Sequence, residues 1–183
     1  MKKLFITAAL CSLLWIPAAN AQKIAVKTNL LEWAALGTLN AGAEYAFSRH
    51  WTLGADIVWN LWTYSRQRSA ECWGVQAEGR YWLCQAFYGH YFGLHAQYGN
   101  YDCGMWKYRY DGWLAGAGLS YGYALPIAKR WRIDFNLGVG YNRMRYDKDA
   151  RRYRTGDVEM FGTENRNYWG ITRAGINMVF IIK

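Results

Sequence analysis

The chain has 183 residues, with 22 Lys and Arg against 13 Asp and Glu, a formal net charge of +9, and 19 Gly, 11 Trp, 15 Tyr and 7 Phe. That length suits one domain, and beyond the first twenty residues the longest uninterrupted apolar run, Met178–Ile182, is far too short for a membrane-crossing helix. Metal-ligand spacings, a P-loop and a dinucleotide fingerprint are missing, and no basic stripe or motif points to nucleic acid.

The first element reads as an export signal. Lys2 and Lys3 precede a mainly apolar run from Leu4 to Ala18 that contains Pro17, and Ala19-Asn20-Ala21 places small residues at alternate positions before Gln22. This layout predicts a cleaved signal peptide over 1–21, with Ala21/Gln22 the scissile bond. The bulky Leu10 directly before Cys11 is wrong for a lipoprotein box. The mature domain is then 22–183, and losing Lys2 and Lys3 leaves 20 basic and 13 acidic residues, a net +7. Such an excess suits plain solubility, and equally contact with lipopolysaccharide phosphates or acidic glycans.

After the signal, almost every stretch between turn signals alternates. In 51–59 and 73–81, apolar positions such as Trp51, Leu53 and Ala55, or Trp73, Val75 and Ala77, are separated by Thr, Gly, Asp, Gln or Glu. Period-2 alternation marks strands with two unlike faces. It predicts eight of them, over 24–33, 38–47, 51–60, 72–84, 90–102, 112–124, 131–146 and 167–182. Each is long enough to cross a hydrocarbon layer when tilted, which takes about 9–11 residues. The connections 48–50, 85–89 and 125–130 are short, whereas 61–71, 103–111 and 147–166 are long; the first, around 34–37, is the exception. Short turns on one side and long loops on the other are the outer-membrane arrangement.

The aromatic residues fall into two bands. Tyr45, Phe47, Trp51, Tyr81, Phe92, Tyr121, Tyr123, Trp131 and Phe180 lie near the short turns, and Trp33, Trp59, Trp73, Tyr98, Trp113, Tyr141 and Tyr168 near the long loops. Amphipathic rings prefer the headgroup level, so a membrane barrel is expected to carry two girdles. The parity of the apolar face puts Lys27, Glu44, Asp56, Glu78, Arg80, Arg132, Asp134 and Arg173 inside, four basic and four acidic. An eight-stranded barrel is just wide enough to be filled by side chains. These charges are therefore expected to pair, with Asn29, Asn40, Gln76, His95, Gln97 and Asn177 satisfying what is left. The expected fold is all-β: an eight-stranded antiparallel up-and-down transmembrane β-barrel with a side-chain-filled polar lumen, a plug and not a channel.

Export leaves Cys72, Cys84 and Cys103. A hairpin turning near 86–88 brings Cys72 close to Cys103 and leaves Cys84 about a membrane thickness away, so a Cys72–Cys103 disulfide with Cys84 alone is expected. Of the three His, His50 and His90 sit in turns and His95 faces inward. Ser120 could approach His95 across the neighbouring strand, but Gln97 and Glu78 account for that environment equally well, so no catalytic residue is expected. The last long loop sets Arg143, Arg145, Lys148, Arg151, Arg152 and Arg154 among Tyr146 and Tyr153. It is either a solvated loop or an anion grip for sugar or lipid phosphate, for which Arg151, Arg152 and Arg154 are the candidates.

These residues also carry a resemblance. Through Lys27-Thr-Asn-Leu-Leu31, Asn40-Ala-Gly-Ala-Glu44, Gly79-Arg-Tyr-Trp-Leu-Cys84, Gly89-His-Tyr-Phe-Gly-Leu-His95 and the run Gly112 to Tyr123, the chain resembles a domain-of-unknown-function family of small outer-membrane β-barrel proteins of gut-type anaerobic bacteria, often encoded near fimbrial genes. The resemblance implies a role in surface assembly and no particular chemistry. The expectation is a non-enzymatic bacterial outer-membrane barrel without cofactor or metal. Its expected partners are outer-membrane lipid, lipopolysaccharide, and fimbrial or other surface proteins, not nucleic acid. An outer-membrane lipid-modifying enzyme and a soluble periplasmic barrel that binds an apolar ligand are the alternatives.

Overall fold

The computed structural model describes residues 23–65, 68–105, 108–151 and 158–182, so the export signal lies outside the described residues. In chain order they form β1 (Lys23–Asn29), α1 (Leu30–Leu36), β2 (Leu39–Ala46), β3 (Trp51–Ser65), β4 (Arg68–Trp82), β5 (Gly89–Met105), β6 (Tyr108–Pro126), β7 (Trp131–Arg151) and β8 (Val158–Ile181). Each strand pairs antiparallel with the next. β8 returns to β1 from Ala25↔Ile181 to Asn29↔Asn177, which closes eight up-and-down strands into a ring. No helix among the described residues is long and apolar enough to cross a membrane.

The three short turns lie at one end of the ring, the turn end. The opposite, hairpin end is built differently from the expected long loops. Most of 61–71, 103–111 and 147–166 is paired strand, with ladders running to Ser65↔Arg68, Met105↔Tyr108 and Arg151↔Val158. In 61–71 and 147–166 polar residues fall at both odd and even positions, so the sequence there carries no period-2 contrast and reads as loop.

The predicted first strand, 24–33, is also too long, because Leu30–Leu36 is α1. Asn29 caps it: its side-chain oxygen accepts from the Leu31 N–H at 3.1 Å, and its amide nitrogen donates to Glu32 Oε1 at 2.9 Å. Gly37 ends the helix at φ 60°, in the left-handed region that favours glycine, and donates to the Trp33 carbonyl at 2.9 Å. These cap residues overrode the alternation.

Burial is reversed relative to an ordinary core. Among the described residues seven buried side chains are apolar, Ala25, Ala46, Trp82, Phe87, Tyr91, Ala124 and Val179, whereas thirteen are polar or charged, among them Lys27, Glu44, Glu78, Arg80 and Asp134. The outer face carries large apolar side chains instead. Leu53, Ile57, Leu94, Leu119, Leu137, Val139 and Ile171 are each more than half exposed. The alternation thus holds, with the apolar set pointing outward.

One irregularity re-aims side chains. β8 pairs as Gly138↔Arg173 and then Val139↔Ile171, so an extra residue is inserted and both Thr172 and Arg173 face the lumen. Beyond this bulge the parity of β8 flips. Trp169, 76% exposed, stands outside against Tyr141 at a ring distance of 5.1 Å. Tyr168, expected in the outer girdle, belongs to the inner face; the bulge is the reason.

Candidate functional site

At the turn end the lumen is filled. Trp82 and Tyr91, from the last inward positions of β4 and β5, meet at 4.6 Å, and Phe87 joins Trp82 at 6.0 Å. Phe87 reaches in from the β4–β5 turn with φ 65°, so the turn adopts a conformation unfavourable for a side-chain-bearing residue while this ring is buried. Parity could have named Trp82 and Tyr91, since they share phase with Arg80 and His95. Nothing local in the sequence marks Phe87.

Above this apolar floor lies the charge network. Arg80 is its hub, meeting Glu78 at 2.7 Å, Glu44 at 3.0 Å and Asp134 at 3.1 Å, with its guanidinium 4.4 Å from the centre of the Tyr91 ring. The carboxylates have further donors: Thr52 to Glu44 and Ser120 to Glu78, each at 2.5 Å, and Tyr91 and Asn177 to Asp134 at 2.7 and 3.1 Å. Buried charges are tolerated when paired and hydrogen-bonded from several sides. Asp56 is shared by Lys27 and Arg173, both at 3.1 Å, and Arg173 also approaches Glu78 at 3.5 Å.

Seven of the eight predicted lumen charges therefore form one network. Arg132 stands apart at the turn end, where it donates to the carbonyl oxygens of Ala128 and Trp131 at 2.6 and 3.0 Å. Its position on the first residues of β7 brings turn carbonyls closer than carboxylates. Sequence reasoning missed the hydroxyls of Thr52 and Thr172. The latter meets His95 Nε2 at 2.8 Å, while Ser120 gives its proton to Glu78, so the Ser120–His95 approach considered from sequence is not made.

The expected Cys72–Cys103 disulfide is corrected. Cys72, Cys84 and Cys103 are free thiols. Cys72 lies opposite Tyr101 and Cys103 opposite Ala70, which makes the pair diagonal. Diagonal neighbours sit about 7–8 Å apart, beyond the roughly 4.4–6.8 Å between Cα atoms that a bridge needs. Of the candidate anion-binding residues, Arg151 ends β7, and Arg152 and Arg154 lie outside the described residues.

Toward the hairpin end the filling stops. A cavity of about 300 Å³ is lined by Lys27, Asp56, Gln76, Tyr101, Arg173 and, from α1, Glu32, with Val58 and Leu114 as apolar wall. The lumen is therefore side-chain-filled in one half only. α1 forms part of its wall because β1 ends at Asn29, leaving β8 without a strand partner on that side beyond Asn177. Burial holds the Glu32 carboxyl above the ordinary carboxylate range, partly offset by the Asn29 hydrogen bond and the charge of Arg173.

A family model described as "Protein of unknown function (DUF3575)" matches residues 6–182. The chain belongs to this family. No curated protein and no solved structure matches it.

Proposed function

We propose that the chain is a bacterial outer-membrane barrel, exported by its cleaved signal peptide, with a structural or surface-interaction role and no enzymatic one. The observation that carries this reading is the reversed burial: a belt of exposed Leu, Ile and Val around the ring, and paired charges within it. Soluble monomers rarely expose contiguous apolar patches beyond a few hundred Å², whereas hydrocarbon suits such a belt, and each strand pairs with the next with β8 returning to β1. Outward aromatic pairs support the girdles at both levels, Trp51 with Tyr81 and Trp131 with Phe180 near the turns, and Trp73 with Tyr98 and Tyr141 with Trp169 toward the hairpins.

In this reading the short turns are periplasmic and the hairpins stand at the cell surface. Lipopolysaccharide and fimbrial or other surface proteins are the partners proposed there.

Cell fractionation with heat-dependent gel mobility tests the location. Recovery in the outer membrane with a band that shifts on boiling is expected; recovery in the periplasmic fraction would sink the membrane reading. Lipid A mass spectra of a deletion strain test the absence of enzyme activity and are expected to be unchanged.

A further inference from the structure

We propose that the cavity at the hairpin end, with the tyrosine-lined mouth above it, is a binding site for a neutral sugar unit. The proposal concerns the folded ring and does not depend on what surrounds it.

Three observations carry it. First, the cavity holds polar atoms without partners. Gln76 Nε2 and Arg173 Nη1 are buried donors with nothing to donate to, and Glu32 Oε2 is a buried acceptor with nothing to accept. Arg173 is itself built in, its side chain 9% exposed and fixed by Asp56 and by Asn136, to which Nε donates at 3.2 Å. Buried polar atoms left unpaired are costly, so this wall awaits a group that both donates and accepts.

Second, the charges lining the cavity balance. Lys27 and Arg173 face Asp56 and Glu32. An anionic ligand would only accept and would meet two carboxyl groups; a cationic one would only donate and would meet an ammonium and a guanidinium. Hydroxyl groups do both without net charge. The volume, about 300 Å³, is that of roughly ten waters at about 30 Å³ each, the scale of a monosaccharide.

Third, the approach is aromatic. Tyr101 lines both the cavity and a wider mouth of about 480 Å³, where Tyr110, Tyr146 and Tyr168 join it beside Arg166. Tyr110 and Tyr146 meet edge to face at 5.8 Å. The electron-rich ring faces attract the polarised C–H face of a pyranose, so the mouth suits the end of a glycan and the cavity its terminal unit. Without the β8 bulge, Tyr168 would face outward.

Equilibrium dialysis of the full chain in detergent micelles tests this, with D-glucose, D-galactose and N-acetyl-D-glucosamine as neutral probes and D-glucuronate and glycine as charged ones. Saturable binding of at least one neutral sugar, one per chain, is expected, weakened about tenfold by Gln76→Leu and by Tyr101→Leu. Gln76→Leu is also expected to resist urea at least as well as the parent, because it removes an unpartnered buried amide, so its loss of binding is not a loss of fold. No neutral sugar bound, a preference for glucuronate or glycine, or binding indifferent to both substitutions would each overturn the proposal.

Discussion

The two halves of the lumen solve the same problem in opposite ways. At the turn end, the carboxylate oxygens of Glu44, Glu78 and Asp134 are taken up by Arg80, Thr52, Ser120, Tyr91 and Asn177, and an apolar floor of Trp82, Phe87 and Tyr91 closes the space. At the hairpin end, Gln76, Glu32 and Arg173 keep polar atoms unpaired around open volume. The turn end is not free of orphans, since Arg80 Nη2 and Arg132 Nε also lack partners, but there the space around them is closed by side chains, whereas at the hairpin end the unpaired atoms border open volume that can take something else. Arg173 and Lys27 join the two, each contributing to the network and to the cavity wall.

The comparison breaks most severely at the hub. Arg80→Met leaves three buried carboxylates short of their cation and is expected to cost roughly 3–5 kcal/mol in urea unfolding. Arg80→Lys should recover only part of it, since an ammonium cannot reproduce the guanidinium fork. The floor comes next. Phe87→Ala is expected to cost about 3 kcal/mol for the lost ring. Phe87→Gly should be milder than Ala by about 1 kcal/mol because the position has φ 65°. Equal stability of the two would remove the strain argument.

Smaller effects belong to the cavity half. Glu32 has a folded pKa above its unfolded one, so its carboxylate costs stability as pH rises through that window and costs nothing below it. Glu32→Gln is therefore expected to stabilise the chain at neutral pH, with the gap closing as pH falls below the ordinary carboxylate range; a gap independent of pH would contradict this. Last, without any reductant, Cys72 and Cys103 should both label with a maleimide after denaturation. Protection of that pair would restore the bridge that the diagonal register argues against.

Most of the ring was legible in the sequence because one rule, period-2 alternation, governs the central part of every strand, and seven of the eight charges selected by parity meet in the network. The failures share a cause. α1, seven residues long, the one-residue bulge at Thr172 and the inward turn at Phe87 are local departures from alternation, and each depends on contacts distant in sequence or on a cap. The hairpin extensions were misread for a different reason, since polar residues at both odd and even positions of 61–71 and 147–166 leave no period-2 contrast to read.

By itself, the sequence determined the number of strands, their up-and-down order and which face is apolar, because a slip of one residue would turn every charge outward. Only the tertiary structure decided that the lumen is half filled. Whether Gln76, Glu32 and Arg173 find partners depends on the bulge in β8 and on a helix standing where a strand was expected, and neither follows from a pattern local to any one strand.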